Sequence, residues 1–383
     1  MVDDPSAPLR LRLADELANR GIVGAEWRPA VERVPRHVLV PRFHHRPEDE
    51  GGGQPPHLID GSRPEQRERY LQLVYSPDET LVTEIDGETG YPTSSSTMPS
   101  IVLAMLGALD AQPTQTVLEI GTGSGYSTAL LCERLGDENV TSVDAGAAVL
   151  DLARKRLKDA GYRPTLVCTD GYHGCPHRAP YDRVISTCRS GRIPTAWVEQ
   201  AATGGVILAV MPDCLVRLVA SDDGSASGHL TAHEFGFMWM RGHSPTRVPV
   251  GDLAQGDGPT RRCRVDMWAL LEGRVNGAFW PLAQLLHAPF LQRVRLAPRQ
   301  LAYVAMDDRS WFRLDVEKAQ VTQGGTRCLW DAFEALYQRL DEAGRPSRER
   351  FGLTVQPDGA HLIWLDRPGP HHTWAVLEPA GQV

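Results

Sequence analysis

A glycine-rich turn at residues 117–128 places the strongest constraint on the fold of this chain. The stretch reads VLEIGTGSGYST, an apolar strand followed by glycines at positions 121, 123 and 125 and then by a helical segment. Glycine is required where the backbone bends with positive φ or lies against a ligand, and a helix that starts here offers unpaired N–H groups. Such a turn predicts a nucleoside cofactor site, although a bare strand-to-helix connection could carry the same glycines.

The spacing of the glycines distinguishes two kinds of cofactor. A dinucleotide fingerprint requires a third glycine after a two-residue gap, and this chain has Tyr126 there. The glycines at alternate positions instead resemble the first motif of the class I S-adenosylmethionine methyltransferases. The resemblance implies S-adenosyl-L-methionine as cofactor and S-adenosyl-L-homocysteine as product, bound by Glu119, Gly121, Thr122, Gly123, Ser124 and Gly125.

Short apolar strands alternate with helices around this turn. We predict strands at residues 117–120, 140–143, 165–168, 183–186 and 206–210, and helices at residues 126–135, 149–157 and 194–201. This order is typical of an α/β fold with a doubly wound, mostly parallel sheet that is covered by helices on both faces. Ligands bind at the carboxyl ends of the strands in such sheets, so we expect the chemistry there.

Two acidic positions after neighbouring strands fit the same cofactor. Asp144 ends the strand that follows the glycine turn, where a carboxylate can accept both ribose hydroxyls. Asp170 and Gly171 follow the next strand, where the aspartate can accept from the adenine amino group and the glycine lets the backbone approach the base. Each aspartate has an alternative role, Asp144 as a helix N-cap and Asp170 in an Asx turn.

A longer series of segments is similar to one family. From about Leu11 to Arg241 the chain resembles the protein-L-isoaspartate O-methyltransferases. The matching segments are AVERVPRHVLVP at 30–41, VLEIGTGSGY at 117–126, DG at 170–171, APYDRVIST at 179–187, IPTAWVEQAATGGVIL at 193–208 and FMWM at 237–240. The resemblance implies a Rossmann-like core that converts an isoaspartyl carboxylate into its methyl ester.

The same resemblance points to a hydroxyl-rich segment just before the core. Where the family has Thr-Ile-Ser-x-Pro, this chain has Ser95-Ser96-Thr97-Met98-Pro99, so that Thr97 replaces the serine and keeps a hydroxyl. A carboxylate is already ionised at neutral pH, so its orientation by Ser95, Ser96 and Thr97 would supply most of the rate enhancement. An ST-turn or an N-cap for the next helix is the alternative role of these hydroxyls.

The chain continues beyond the usual end of this family. Residues 244–260 are rich in Pro, Gly and Asp and predict a linker. Residues 261–383 predict a C-terminal α+β domain with a helix at 329–343 and a β-hairpin at 352–365. The predicted division is therefore an N-terminal helical region with the hydroxyl-rich segment (1–115), a methyltransferase core (116–243), the linker and the extension.

The extension and the serine-rich segment together resemble the subgroup associated with ribosomally made, modified peptides such as lanthipeptides and graspetides. Members of that subgroup methylate an aspartate in a constrained peptide and leave an aspartimide or isoaspartate. The extension would then help to bind the peptide through its tryptophans, unless these residues form its own core. They are Trp268, Trp280, Trp311, Trp330, Trp364 and Trp374.

Composition limits the other partners. The net charge of −8 and the pI near 5.9 argue against a general binder of nucleic acids or membrane surfaces. Seven cysteines without a CxxC pair argue against a disulfide framework or a zinc ribbon, and His173-x-Cys175-x-His177 lacks an evident fourth metal ligand. Neither a signal peptide nor a membrane span is evident, so we expect a cytosolic protein without a metal.

Three functions follow from these patterns. The first is methylation of an aspartyl carboxylate in a modified peptide, and the second is general repair of isoaspartyl residues in damaged proteins. The third is a catalytically silent, peptide-binding scaffold. The intact glycines and Asp144 argue against the third function. In the first two, the partner is a peptide or protein with an aspartyl or isoaspartyl carboxylate, and neither nucleic acid nor membrane is involved.

Overall fold

The chain divides into two units, Met1–Cys188 with Ala196–Leu208 and Arg189–Thr195 with Ala209–Val383. The structure, a computed structural model, describes residues 6–45, 56–88, 90–233, 236–243, 256–267, 277–369 and 372–376. Residues 244–255 of the predicted linker lie outside the described residues. In the described ranges, no helix is both long enough and apolar enough to cross a bilayer.

The described residues of the first unit form a four-stranded antiparallel sheet, a set of parallel strands and eight α-helices. Its strands are β1 (Arg42–His45), β2 (His57–Asp60), β3 (Leu81–Ile85), β4 (Pro92–Ser96), β5 (Val117–Ile120), β6 (Val140–Asp144), β7 (Thr165–Cys168) and β8 (Tyr181–Arg189). Its helices are α1 (Ala7–Asn19), α2 (Arg28–Arg33), α3 (Arg36–Leu39), α4 (Arg67–Val74), α5 (Pro99–Leu109), α6 (Tyr126–Leu135), α7 (Ala147–Asp159) and α8 (Thr195–Gln200). Strand β9 (Ala201–Met211) runs from the first unit into the second.

The parallel strands have the order β8-β5-β6-β7, with the carboxyl ends at one edge. All four residues of β5 are buried, including the charged Glu119, because helices cover a parallel sheet on both faces. The predicted strands 117–120 and 165–168 and the predicted helix 126–135 are confirmed to the residue. Apolar runs between turn residues are enough to define such elements locally.

Ser95 and Ser96 of the hydroxyl-rich segment end a strand that the sequence analysis did not predict, and Thr97 and Met98 connect this strand to α5. Strand β4 pairs with β3, so that Ser95 lies opposite Val82 and Ser96 opposite Leu81. The pairing is supported by a hydrogen bond of 2.9 Å between Thr83 Oγ1 and Ser94 Oγ. The order of the sheet is β2-β1-β3-β4. Pairing with the preceding strand therefore fixes the backbone of Ser95 and Ser96 before the chain enters α5.

The second unit is rich in antiparallel strands. They are β10 (Cys214–Ala220), β11 (Ala226–Leu230), β12 (Thr260–Arg262), β13 (Leu291–Ala297), β14 (Gln300–Ala305), β15 (Trp311–Asp315), β16 (Gln320–Gly324), β17 (Phe351–Val355), β18 (His361–Leu365) and β19 (Thr373–Ala375). Its helices include α9 (Phe279–His287) and α10 (Leu329–Glu342). One series of strands has the order β12-β16-β15-β14-β13, and another has the order β19-β18-β17-β11-β10.

The predicted hairpin is confirmed as β17 and β18, in which Gly352 lies opposite Trp364. Strand β17 also pairs with β11, which places residues 226–230 beside the extension in one unit. The sequence analysis assigned these residues to the methyltransferase core, because pairing between segments so far apart leaves no local pattern. The predicted boundary at residue 243 stays a prediction.

Aromatic residues form the core of the second unit. The rings of Trp280 and Tyr303 stack at 5.0 Å, and those of Tyr303 and Phe312 stack at 4.7 Å. Phe312 in turn contacts Trp330, with ring centroids 5.1 Å apart. Trp311, Trp330 and Trp364 are buried, whereas Trp280 and Trp374 are half-buried and Trp268 lies outside the described residues. Most of these tryptophans therefore serve the core, the alternative that the sequence left open.

We expect Phe312→Ala to lower the free energy of unfolding by about 3–5 kcal/mol, because it leaves a cavity in this aromatic core. The measurement is urea denaturation followed by tryptophan fluorescence. Val219→Ala is the control, since Val219 is 38% exposed on β10 and its truncation should cost about 0.5 kcal/mol or less. Equal losses in the two variants would contradict the assignment of Phe312 to the core.

Candidate functional site

The glycine turn connects the end of β5 to α6 in a conformation that requires glycine. The φ angles of Gly121, Gly123 and Gly125 are 100°, 51° and 84°. A Cβ on Gly121 would lie 2.6 Å from Oγ1 of Thr187, and one on Gly123 would lie 3.4 Å from the carbonyl oxygen of Ser95. The backbone of the turn therefore lies directly against β8 on one side and the hydroxyl-rich segment on the other.

Glu119 supports the turn from within the protein. Its carboxylate is fully buried and accepts hydrogen bonds from Thr128 Oγ1 at 2.5 Å, from Ser142 Oγ at 2.6 Å and from the hydroxyl of Ser127. Burial raises the pKa of Glu119, and these hydroxyl donors act in the opposite direction. Glu119, which the sequence analysis predicted to bind the cofactor, therefore links β5 to the first turn of α6 and to β6 through hydrogen bonds.

The hydroxyls of Thr122 and Ser124 also lie inside the protein. Thr122 Oγ1 shares a hydrogen bond of 2.7 Å with Ser142 Oγ, and Ser124 Oγ accepts one from the backbone N–H of Tyr126 at 3.4 Å. Both side chains are at most 4% exposed. A ligand at this turn would therefore meet backbone groups of these residues rather than their hydroxyls.

Asp144 links the glycine turn to the start of α7. One carboxylate oxygen accepts from the backbone N–H of Gly123 at 3.0 Å, and the other accepts from that of Gly146 at 2.9 Å. The N-cap of α7 is Gly146, without a side-chain cap, so Asp144 contacts the cap residue and does not cap the helix itself. An ionised carboxylate has about four lone-pair sites, so two hydroxyl donors can be added to the same group.

Asp170 and Gly171 begin a short 3₁₀ turn after β7. Oδ1 of Asp170 accepts from the backbone N–H of Tyr172 at 2.9 Å, which is the Asx-type contact considered as the alternative. The carbonyl of Gly171 accepts from Nε1 of Trp197 at 2.9 Å. The N–H of Thr169 donates to the carbonyl of Asp144 at 3.2 Å, so the segment leading to Asp170 lies beside the end of β6.

The structure separates the three candidate hydroxyls into two groups. Ser96 is 2% exposed, and its hydroxyl and carbonyl both accept from the guanidinium of Arg36, at 3.3 and 3.1 Å from Nη2. Ser95 and Thr97 are partly exposed, and their hydroxyls form no hydrogen bond to another described residue. Ser95 and Thr97 can therefore donate to a ligand, whereas Ser96 is held in the protein interior.

Arg36 is a site residue that the sequence analysis missed. Its guanidinium is fully buried, and it donates to the carbonyls of Val74 at 2.8 Å and Thr97 at 3.0 Å. It also lies over the ring of Tyr126, 5.1 Å from the centroid. Burial lowers the pKa of Arg36 to about 10, so that the group stays charged at neutral pH. The available signal was an arginine next to the apolar and proline-bounded residues of the segment VPRHVLVP.

The end of β8 provides two more residues that were not predicted. Thr187 Oγ1 donates to the carbonyls of Ile120 and Gly121, at 3.0 and 2.8 Å. Burial raises the pKa of the Cys188 thiol to about 12, so this group is neutral and a poor nucleophile at physiological pH. Thr187 thereby fixes the carbonyl side of the glycine turn, and the segment APYDRVIST was the signal for it.

The residues of the predicted His-Cys-His cluster belong to the loop after β7. The backbone N–H of Cys175 donates to Oε1 of Gln200 at 2.7 Å, and the carbonyl of His173 accepts from Nε2 of the same side chain at 2.8 Å. Over the described ranges, no group of three His, Cys, Asp or Glu side chains is arranged to hold a metal ion.

We expect Arg36→Lys to lower the free energy of unfolding by about 2–4 kcal/mol. Lysine keeps the charge, but it cannot reach the same carbonyls, which would stay buried without partners. The measurement is urea denaturation. Arg154→Lys is the control, because Arg154 is 53% exposed and pairs with Asp151 on the surface of α7, where the change should cost about 0.5 kcal/mol or less. Similar costs in the two variants would contradict this role of Arg36.

Comparison with known proteins identifies the family of this chain. Residues 11–227 match the family model described as "Protein-L-isoaspartate(D-aspartate) O-methyltransferase (PCMT)". The chain is 32% identical over 200 residues to the protein-L-isoaspartate O-methyltransferase of Dictyoglomus turgidum, a match that covers 52% of this chain and 74% of that protein. It is 31% identical over 181 residues to the enzyme of the same name from Methanosarcina mazei, covering 47% and 60% of the two chains.

A solved structure of a protein-L-isoaspartate O-methyltransferase has the same fold. It aligns with a TM-score of 0.54 at 21% identity and covers 94% of this chain and 100% of that chain. The predicted Rossmann-like methyltransferase core, the additional strand-rich C-terminal part and the S-adenosyl-L-methionine cofactor are confirmed. The chain therefore belongs to the protein-L-isoaspartate O-methyltransferase family of S-adenosyl-L-methionine-dependent enzymes.

Proposed function

We propose that this enzyme esterifies an aspartyl carboxylate in a ribosomally made, modified peptide. The observation that carries the proposal is the pair of available hydroxyls, on Ser95 and Thr97, in a segment that lies against the glycine turn at Gly123. The serine-rich departure from the family pattern favours a constrained peptide as substrate. General repair of isoaspartyl proteins is the second candidate, because the relatives are named protein-L-isoaspartate O-methyltransferase.

The cofactor is proposed to lie at the carboxyl ends of β5, β6 and β7. The backbone of Gly121, Gly123 and Gly125 would face its methionine and ribose parts, and the remaining lone pairs of Asp144 would accept the ribose hydroxyls. Asp170 and Gly171 would be next to the adenine. Glu119, Thr122 and Ser124 would contribute indirectly, since their side chains hold the turn in shape.

Methyl transfer at this site requires no general base. The target carboxylate is ionised at neutral pH, so one of its oxygens would accept the methyl group. Bound S-adenosyl-L-methionine would supply that methyl group and keep the electron pair of the broken carbon–sulfur bond as S-adenosyl-L-homocysteine. Hydrogen bonds from Ser95 and Thr97 to the carboxylate would fix the angle of attack, and orientation of this kind can supply a large part of a rate enhancement.

The ester then reacts within the peptide. The next backbone nitrogen attacks the ester carbonyl, the nitrogen gives up its proton and methanol leaves. The product is a succinimide, which water opens to aspartate or isoaspartate. This sequence needs no further group from the enzyme, so Ser95 and Thr97 act only in the methylation step. We expect the reaction to take place in the cytosol, without nucleic acid or membrane.

We expect Gly121→Ala to weaken binding of S-adenosyl-L-homocysteine at least about tenfold, because the new Cβ collides with Thr187 and displaces the turn. Isothermal titration calorimetry measures this affinity. Gly161→Ala is a matched control, since Gly161 has a similar φ of 97° but no atom within 4 Å of the added Cβ. Equal affinities of the two variants for S-adenosyl-L-homocysteine would contradict the assignment of the glycine turn to the cofactor site.

The substrate proposal is tested by mass spectrometry. With cofactor and the cognate cyclised peptide, we expect the mass of one methyl group to appear on an aspartate, followed by the succinimide. The double variant Ser95→Ala/Thr97→Ala should lose about 10²-fold or more in rate, because the carboxylate is no longer oriented. The wild type should methylate a linear isoaspartyl peptide more slowly than the cyclised one.

Calorimetry of each variant serves as the control for folding and cofactor binding, and S-adenosyl-L-homocysteine should bind the double variant with unchanged affinity. Two results would contradict the proposal. If neither the ester nor the succinimide forms on a cyclised peptide, modified peptides are not the substrate. If linear isoaspartyl peptides react as fast as cyclised ones, general repair is the better description.

A further inference from the structure

An apolar cavity of about 400 Å³ lies within the second unit, between the helices α9 and α10 and the strands β17 to β19. Six of its wall residues are at most 8% exposed: Leu282, Leu286, Leu336, Leu340, Phe351 and Leu365. Trp374 of β19 lines the cavity and is half-buried. The volume is within the range of small-ligand pockets and can hold a large apolar side chain.

The cavity is next to the end of a sheet. Strand β19 is the last strand in the order β19-β18-β17, and no strand in the described part of the chain pairs with its outer side. The N–H of Val376 donates to the carbonyl of His361, and the N–H of Leu365 donates to that of His372. Because hydrogen-bonding directions alternate along a strand, the backbone groups of Thr373 and Ala375 face away from β18.

The alternation of side chains connects this edge to the cavity. Phe351 lies opposite Leu365, and Trp374 lies opposite Ile363, so these residues share the sheet face that lines the cavity. A further strand beside β19 would project every second side chain onto the same face. Strand addition at a sheet edge with a side-chain pocket next to it is a recurring mode of peptide recognition.

The mouth of the cavity carries polar and charged side chains. Arg339, Glu342 and His372 are exposed there, and Arg339 forms no ion pair or hydrogen bond with another described side chain. A guanidinium can bind a carboxylate through two parallel hydrogen bonds. An acidic residue two positions from the apolar one would project from the same face of an added strand and would reach this end of the cavity.

We propose that the second unit binds an extended peptide segment along β19, with an apolar side chain in this cavity and an acidic side chain at Arg339. The proposal depends on the proposed function only in taking a peptide as the substrate. Such a docking site would recognise a part of the peptide other than the methylated aspartate. Its occupant is a segment with an apolar residue followed, two positions later, by Asp or Glu.

The test uses ¹⁹F NMR of the full-length protein with 5-fluorotryptophan at its nine tryptophan positions. The signal that is absent from the spectrum of the Trp374→Phe variant is assigned to Trp374. The probe is acetyl-Gly-Thr-Leu-Thr-Glu-Thr-Gly-amide. We expect a saturable shift of the Trp374 signal. Replacing the probe leucine by alanine should raise the dissociation constant about tenfold or more, and replacing its glutamate by glutamine should raise it about threefold.

Two protein variants locate the site. Ala343→Trp should abolish the titration, because Ala343 is an exposed residue of the cavity rim and a large ring there fills the space without removing core contacts. Arg339→Gln should make the glutamate and glutamine probes bind equally. Arg299→Gln is the matched control, since Arg299 pairs with Glu317 outside the cavity, and it should retain the preference for glutamate.

The proposal is overturned if the Trp374 signal does not move, if the alanine probe binds as tightly as the leucine probe, or if a lysine in place of the probe glutamate improves binding. Because the titration contains no cofactor, it is independent of methyl transfer. Binding of the probe at the cavity without any methylation of peptides would support this inference and contradict the proposed function. Methylation of peptides without any binding at the cavity would overturn this inference and leave the proposed function in place.

Discussion

The buried guanidinium of Arg36 is the interaction on which the candidate site most depends. It has no carboxylate partner among the described ion pairs, and it donates to the backbone carbonyls of Val74 at the end of α4 and of Ser96 and Thr97. A charge that is buried in this way is tolerated only when its donors are satisfied. Because the same group lies over Tyr126, it holds the hydroxyl-rich segment next to the start of α6.

The glycine turn is organised by the same principle, because buried side chains support it from within the protein and its backbone forms its surface. The carboxylate of Glu119 accepts hydrogen bonds from three hydroxyls on the buried side of the turn. Thr187 donates to the carbonyl of Gly121, and Asp144 accepts from the N–H of Gly123. These contacts leave the glycine backbone without side chains between it and a ligand. A turn that is set before binding loses little conformational entropy when the ligand arrives, which favours affinity.

The second unit shows why composition alone does not identify a binding surface. Its tryptophans suggested a peptide-binding face, yet Trp311, Trp330 and Trp364 are buried in aromatic and strand contacts. The space available to a ligand lies instead among leucines of α9 and α10, beside the half-buried Trp374. The spacing of leucines on an amphipathic helix predicts which face of the helix points to the core. It does not predict whether side chains of other elements fill the space next to that face.

The sequence by itself determined the parallel strands, the glycine turn, the positions of Asp144 and Asp170 and the hairpin of β17 and β18, because each follows from short-range spacing and turn chemistry. Only the tertiary structure decided that Ser96 is held by Arg36 while Ser95 and Thr97 are available, and that β11 pairs with β17. Those outcomes depend on contacts between residues far apart in the chain. A local sequence pattern does not predict which distant group will accept from a buried donor or which distant strand will pair with a sheet edge.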